Sequence, residues 1–197
     1  RGIAYAYSDK YRKKTLRMGD LLRLDEENMK ARLKMMLDAK NMELAGCYHQ
    51  EPMSFPALYK WCEEQAEKFK AYICDTGEFL DESLKKGKKV ILEAQLGAMR
   101  DIDYGIFPYT SSSSTIAAYA PIGAGIPAHV PDHIVGVLKA YSTCVGAGPF
   151  VAETAMPQSW LDMLRRLGGE YGAATGRPRR VGPVDIPASR YGLKCQN

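Results

Sequence analysis

The chain has 197 residues, 46% apolar and 25% charged, enough for one sizeable core or one core with a helical attachment. These values exclude the disordered and fibrous classes. There are 27 basic residues against 23 acidic, a net charge of +4, too small an excess to argue for nucleic acid but suited to an anionic small molecule if focused in one cleft. Five widely spaced cysteines, Cys47, Cys62, Cys74, Cys144 and Cys195, form no C-x-x-C pair. His49, His129 and His133 stand in no zinc-like register with them, so reduced thiols in a cytoplasmic protein without a metal site of its own are expected. No apolar run reaches the ~18–20 residues of a membrane span. The first residues, Arg1-Gly2-Ile3-Ala4, carry no leader and read as the inside of something longer.

Residues 1–88 are charged, rich in methionine and helical in pattern. From Asp25 to Asn41, Met29, Leu33, Met36 and Leu37 share one helical face, with Asp25 as the expected N-cap. A second helix is predicted to open near Ser54, with Pro56 in its first turn. Leu58, Trp61, Cys62, Gln65, Phe69, Tyr72 and Ile73 follow its period as core or subunit interface. Asp81 to Lys86 adds a turn stopped by Gly87.

The texture changes across 89–197. Lys89-Val90-Ile91-Leu92-Glu93-Ala94 and Ile134 to Tyr141 are short, apolar and β-branched, and read as buried strands. Between them a Gly-, Ser- and Pro-dense stretch runs from Gly105 to Pro131, with a short helix possible near Ser114. Pro157 to Leu167 predicts an amphipathic helix through Trp160, Leu161, Leu164 and Leu167, ended by Gly168-Gly169. The expected fold is α/β: a mixed sheet with flanking helices over 89–197, and a helical subdomain over 1–88.

Four segments offer chemistry. Ser111, Ser112, Ser113 and Ser114 follow a Pro-containing loop, and such hydroxyls can bind phosphate or simply cap a helix. Gly172 to Arg180 places Arg177, Arg179 and Arg180 just after small residues, where guanidinium forks could pair with carboxylate or phosphate, or form a solvated face. Asp101 and Asp103 would share one side of an extended segment, as metal or acid/base groups or as structural ones. Tyr11-Arg12-Lys13-Lys14 with Arg17 is a basic cluster that alone would be surface.

Their order is informative. Arg1-Gly2-Ile3 through Asp9-Lys10, then Arg17-Met18-Gly19-Asp20-Leu21, resembles the R-G-I-G-P-A-Y-x-D-K and R-x-G-D-L stretches of the adenylosuccinate synthetase family. Glu93 to Ser114, E-A-Q-L-G-A-M-R-D-I-D-Y-G-I-F-P-Y-T-S-S-S-S, is similar to that family's E-G-A-Q-G-x-x-L-D-I-D-x-G-T-Y-P-x-V-T-S-S-N. Lys139 to Phe150 resembles K-A-Y-x-T-R-V-G-x-G-P-F, and Gly172 to Gly182 resembles F-G-x-T-T-G-R-x-R-R-x-G. Departures include Ala4-Tyr5 for Gly-Pro, Thr110 for valine, Ser114 for asparagine, Ala174 for threonine and Cys144 for arginine.

The resemblance implies a P-loop-like sheet and a GTP-dependent ligase of purine biosynthesis, a cytoplasmic homodimer joining L-aspartate to inosine monophosphate (IMP). The purine 6-oxygen is a poor leaving group, so the family transfers the γ-phosphoryl group of GTP to it before the aspartate amine displaces phosphate. Ser111, Arg177, Arg12 or Lys13 (the latter two reaching across a dimer) and Gln95 would bind IMP, Gln95 also acting catalytically near the purine oxygen. A gap-free alignment puts Leu96 there instead. Arg1 and the loop Ala173, Ala174, Thr175, Gly176, Arg177, Pro178 and Arg179 would hold aspartate, with Arg179 also facing GTP. The family's G-D-E-G-K-G-K loop, its catalytic histidine and its guanine-reading lysine and aspartate have no counterpart in this sequence, so Mg2+ ligands are expected elsewhere and the isolated chain is expected to be inactive. The alternatives are a ligase for a guanine-type or deoxy nucleotide and a non-catalytic dimerisation or regulatory module. Neither a nucleic-acid nor a membrane partner is expected.

Overall fold

The computed structural model describes residues 2–93, 96–173 and 176–196. The chain divides into two units, Arg1–Phe79 and Leu80–Asn197.

The first unit is helical. α1 (Ile3–Tyr11) takes in Ala4 and Tyr5, the pair standing where the family pattern has Gly-Pro. A 3-10 turn at Met18–Arg23 leads to α2 (Glu27–Tyr48), which buries Met29, Leu33 and Leu37, while Met36 is half-buried. The cap position falls on Glu26 rather than Asp25 and carries no side-chain cap. α3 (Phe55–Phe69) starts as its sequence demands: the Ala57 N–H donates to Ser54 Oγ at 3.3 Å, and Pro56 sits in the first turn, where a missing N–H costs nothing. Leu24, Leu33 and Cys62 form the core, flanked by Leu16, Leu21, Phe55, Leu58, Tyr59 and Ala66.

One buried charge organises the turn ahead of α2. Asp20 accepts the Arg17 N–H at 2.8 Å and pairs with Arg23 at 3.0 Å and Arg32 at 3.4 Å. The Arg17 N–H, aided by the two guanidinium groups, holds the Asp20 carboxyl below its ordinary range despite burial. Of the predicted stripe, Cys62 is buried in the core with Leu58 packed against it, whereas Trp61, Phe69 and Tyr72 are exposed and take no part in that core.

α4 (Thr76–Lys85) replaces the single turn expected at 81–86. The second unit continues with a 3-10 turn at Ala98–Arg100, another at Ala117–Tyr119 running into α5 (Ala120–Ala124), β1 (Ser142–Cys144), α6 (Gln158–Leu167), β2 (Arg180–Gly182) and α7 (Ile186–Gln196). β1 and β2 pair antiparallel, with Ser142 opposite Gly182, Thr143 opposite Val181 and Cys144 opposite Arg180. Helix-rich with a small sheet, this architecture is consistent with α/β.

The two predicted strands do not form. Residues 89–93 and 134–141 lie outside any ladder, and Ile91 and Val137 are 92% and 95% exposed. β-branched composition gives a segment the preference for extended backbone, but a strand exists only where another edge accepts its hydrogen bonds. On α6, Leu161 is buried while Leu167, in the last turn, is exposed.

Truncating Leu33 to alanine is expected to cost about 3 kcal/mol, against about 1 kcal/mol for Ser54→Ala, which removes only a cap. Urea unfolding of the two variants checks this; equal losses would contradict the assignment of Leu33 to the core.

Candidate functional site

The serine turn is closed from inside by Asp101. With no exposed surface, its carboxylate accepts the N–H groups of Asp103 (2.9 Å), Tyr104 (3.1 Å) and Thr115 (2.6 Å). Residues 101 and 115 are thereby held together, and the chain between them folds into a compact loop. Ser111 N–H donates to the Arg100 carbonyl at 2.8 Å, Ile102 N–H to the Ser113 carbonyl at 3.3 Å, and the Ser111 and Ser113 hydroxyls lie 3.0 Å apart. Gly105 is required at the crossing, since a Cβ there would sit 2.4 Å from the Asp101 carbonyl oxygen. Burial pushes the Asp101 carboxyl up, but the N–H donors of Thr115, Asp103, Tyr104 and Ile116 outweigh it and hold the group below its usual range. Asp101 and Asp103 therefore do not share a face as an extended segment would require. The segment is a turn, with Asp101 buried and Asp103 exposed.

The arginine segment is a hairpin. Arg179 N–H donates to the Glu170 carbonyl at 2.9 Å, Tyr171 bridges Pro178, and Gly172 N–H donates to the Arg177 carbonyl at 2.9 Å. Ala173, Gly176, Arg177 and Pro178 are exposed near its tip. Arg179 turns inward: its Nη1 lies 3.2 Å from buried Glu170, while its Nε is buried without a partner. Glu170 also receives Lys139 Nζ and the Tyr141 hydroxyl, each at 2.6 Å. Burial pushes the Glu170 carboxyl up, and Lys139 and Tyr141, with the charge of Arg179, more than reverse this; the same carboxylate raises the Tyr141 phenol.

The β1–β2 ladder brings turn and hairpin together. Arg180, which begins β2, donates to the Gly148 carbonyl at 2.7 Å and the Gly146 carbonyl at 3.4 Å, and its guanidinium pairs with Glu153 and covers the Phe150 ring. The 145–148 segment beyond β1 thus lies at the ladder end from which the arginine hairpin enters. The serine turn reaches the same segment, because Tyr109 lies so close to Gly148 that a Cβ there would meet its ring at 2.6 Å. Hydroxyls at 111–113 and arginines at 177–179 are therefore anchored at one end of one ladder.

Arg12 and Lys13 belong to the first unit. Both are exposed; Lys13 has a left-handed backbone (φ 59°), and Arg12 lines a cavity of about 230 Å³ with Tyr5, Asp9, Lys40 and Glu43. Arg1, Gln95, Ala174 and Thr175 lie outside the described residues. Leu96 has a positive φ of 76° and is exposed. Sequence reasoning missed Glu170, whose role as the shared partner of Lys139, Tyr141 and Arg179 follows only from long-range contacts; its one local signal was an acidic residue immediately before the glycine-flanked arginines.

The adenylosuccinate synthetase family model matches residues 1–197. The chain belongs to the adenylosuccinate synthetase family. It is 42% identical over 194 residues to an adenylosuccinate synthetase of Caldicellulosiruptor bescii, covering 98% of this chain and 44% of that protein. It is 40% identical to the one of Thermomicrobium roseum, with the same coverages. A solved structure, that of fully ligated adenylosuccinate synthetase from Plasmodium falciparum, matches at TM-score 0.79 and 33% identity, over 95% of this chain and 42% of that one. The chain thus spans less than half the length of these members of the family. Where the family pattern has threonine, Ser111 keeps the hydroxyl on the loop that Asp101 closes.

Replacing Asp101 with asparagine exchanges acceptor capacity for a buried donor and is expected to cost about 2–4 kcal/mol, read by urea unfolding. Because its folded carboxyl is depressed, Asp101 contributes in full above the ordinary value of 3.8, and the contribution is lost as pH falls through the depressed folded value. Between pH 5 and pH 3 the wild-type chain should therefore lose more stability than Asp101→Asn; parallel curves would contradict the assignment.

Proposed function

We propose that this chain supplies the nucleotide- and aspartate-binding part of a GTP-dependent ligase that joins L-aspartate to IMP, giving adenylosuccinate in purine biosynthesis. The observation that carries this reading is the attachment of the serine turn and the arginine hairpin to the same end of the β1–β2 ladder, through Tyr109 on Gly148 and Arg180 on the Gly146 and Gly148 carbonyls. Family membership says which anions such a pair of loops would serve.

The Ser111 and Ser113 hydroxyls and nearby backbone N–H groups would take the IMP phosphate. Arg177, exposed at the hairpin neck, would fork onto a carboxylate of aspartate while contacting the nucleotide, where lysine would offer only a point charge. Arg1 and the loop 173–179 would complete the aspartate site, and Gln95 or Leu96 would face the purine oxygen. Arg179 would contribute to GTP binding only after exchanging part of its pairing with Glu170. Arg12 and Lys13 would reach a partner's nucleotide in a homodimer, with 1–88 as the dimer region and 89–197 as part of a P-loop-like sheet. GTP binding would bring magnesium to supply charge neutralisation at the phosphates. Among the described residues no group of three His, Cys, Asp or Glu could hold such an ion. No described helix is long and apolar enough to cross a membrane.

The test is made in the protein that carries this chain, by following adenylosuccinate formed from IMP, GTP and aspartate. Ser111→Ala is expected to raise KM for IMP about tenfold, as loss of one charge-assisted hydrogen bond should. Arg177→Lys is expected to lower kcat/KM for aspartate about a hundredfold. Preference for guanosine or deoxyinosine monophosphate over IMP would transfer the reading to a related ligase, and nucleotide binding without product would transfer it to a non-catalytic module.

A further inference from the structure

Arg100 ends the 3-10 turn at Ala98–Arg100 and is half-buried. Its guanidinium spans two segments far apart in sequence. Nη1 donates to the carbonyl of Tyr109, inside the serine turn. Nη2 meets Cys144 Sγ at the end of β1 and donates to the Val145 carbonyl at 3.2 Å. The backbone of the same residue accepts the Ser111 N–H. One residue thus holds the serine turn at two points and ties it to the strand whose ladder partner, opposite Cys144, is Arg180.

The sequence gives this contact a second meaning. In the family pattern a leucine stands at position 100 and an arginine at 144; here an arginine stands at 100 and a cysteine at 144. The two positions touch, so here the guanidinium at this contact comes from the turn side, and an arginine at 144 would bring one to the same contact from the strand. The small cysteine leaves room for the incoming guanidinium.

We propose that Arg100 is a positioning residue of the nucleotide site, a brace that takes over from an arginine at 144 and holds the Ser111–Ser113 hydroxyls at the ladder end from which Arg177 projects. The proposal rests on the nucleotide reading of that turn. Lysine would not replace Arg100, because a single ammonium on a flexible stem cannot direct separate donors at two carbonyls in a fixed fork. Leucine at 100 retains the packing and removes both ties.

The experiment compares, in the protein that carries this chain, the wild type, Arg100→Leu, Arg100→Lys and the double variant Arg100→Leu/Cys144→Arg, with thermal unfolding as the control for folding. Two quantities are read: amide hydrogen exchange at Ser111 and Tyr109, and the Kd for IMP. Arg100→Leu should speed Ser111 exchange and raise the IMP Kd, each about tenfold, as loss of a charge-assisted tie should. Arg100→Lys should recover little. The double variant should return both quantities to within about threefold of wild type, although it carries two substitutions, which loss of generic packing would not produce. Unchanged exchange in Arg100→Leu overturns the brace, as does failure of the double variant to rescue. Faster exchange with an unchanged IMP Kd overturns its role in the site. If the wild-type protein that carries this chain does not bind IMP, the nucleotide reading fails instead, and the exchange data still decide whether Arg100 braces the turn.

Discussion

A carboxylate without solvent, that of Asp101, is tolerated because backbone N–H groups from both ends of a loop converge on it. An ionised group removed from water must be hydrogen-bonded or neutralised, and here the chain does the solvating. The cost of burying the charge becomes a constraint on geometry: residues 103, 104 and 115 must stay where they are, and the serine turn is closed as a consequence. Its hydroxyls lie on a surface that ordering has already prepared, which lowers the cost of arranging them around an anion.

A second buried carboxylate, Glu170, plays a comparable part for the arginine hairpin. Lys139, Tyr141 and Arg179 converge on it from both sides of the ladder. Arg179 is thereby held inward while Arg177, two residues earlier, is exposed. Two arginines of one motif, two positions apart, thus have different surroundings: alternation in a regular strand would put them on one face, and it is the buried carboxylate of Glu170 that draws Arg179 inward.

α2, α3 and α6 were readable from periodicity because their stabilising contacts recur at fixed spacing: α2 buries Met29, Leu33 and Leu37, and α3 is capped by Ser54 with Pro56 in its first turn. The strands were not. Segments 89–93 and 134–141 have the composition of buried strands and lie outside any ladder, whereas β1, at Ser142–Cys144, is polar and pairs with a strand 36 positions later, counted from Cys144 to Arg180. The Asp101-Asp103 pair misled in the same way, since alternation assumes an extended backbone and the segment turns.

Residue order alone determined the family, since four motif blocks in register carry information that no conformation is needed to read. The start of α3 at its Ser54 cap and the identity of the candidate anion-binding residue types were equally local. Tertiary structure decided which side of each motif faces inward: that Asp101 organises rather than ligates, that Arg179 answers to Glu170, and that Arg100 meets Cys144. Each of those outcomes depends on a partner on a non-adjacent part of the chain, from 9 positions away for Glu170 and Arg179 to 44 for Arg100 and Cys144, and local pattern contains no term for such partners.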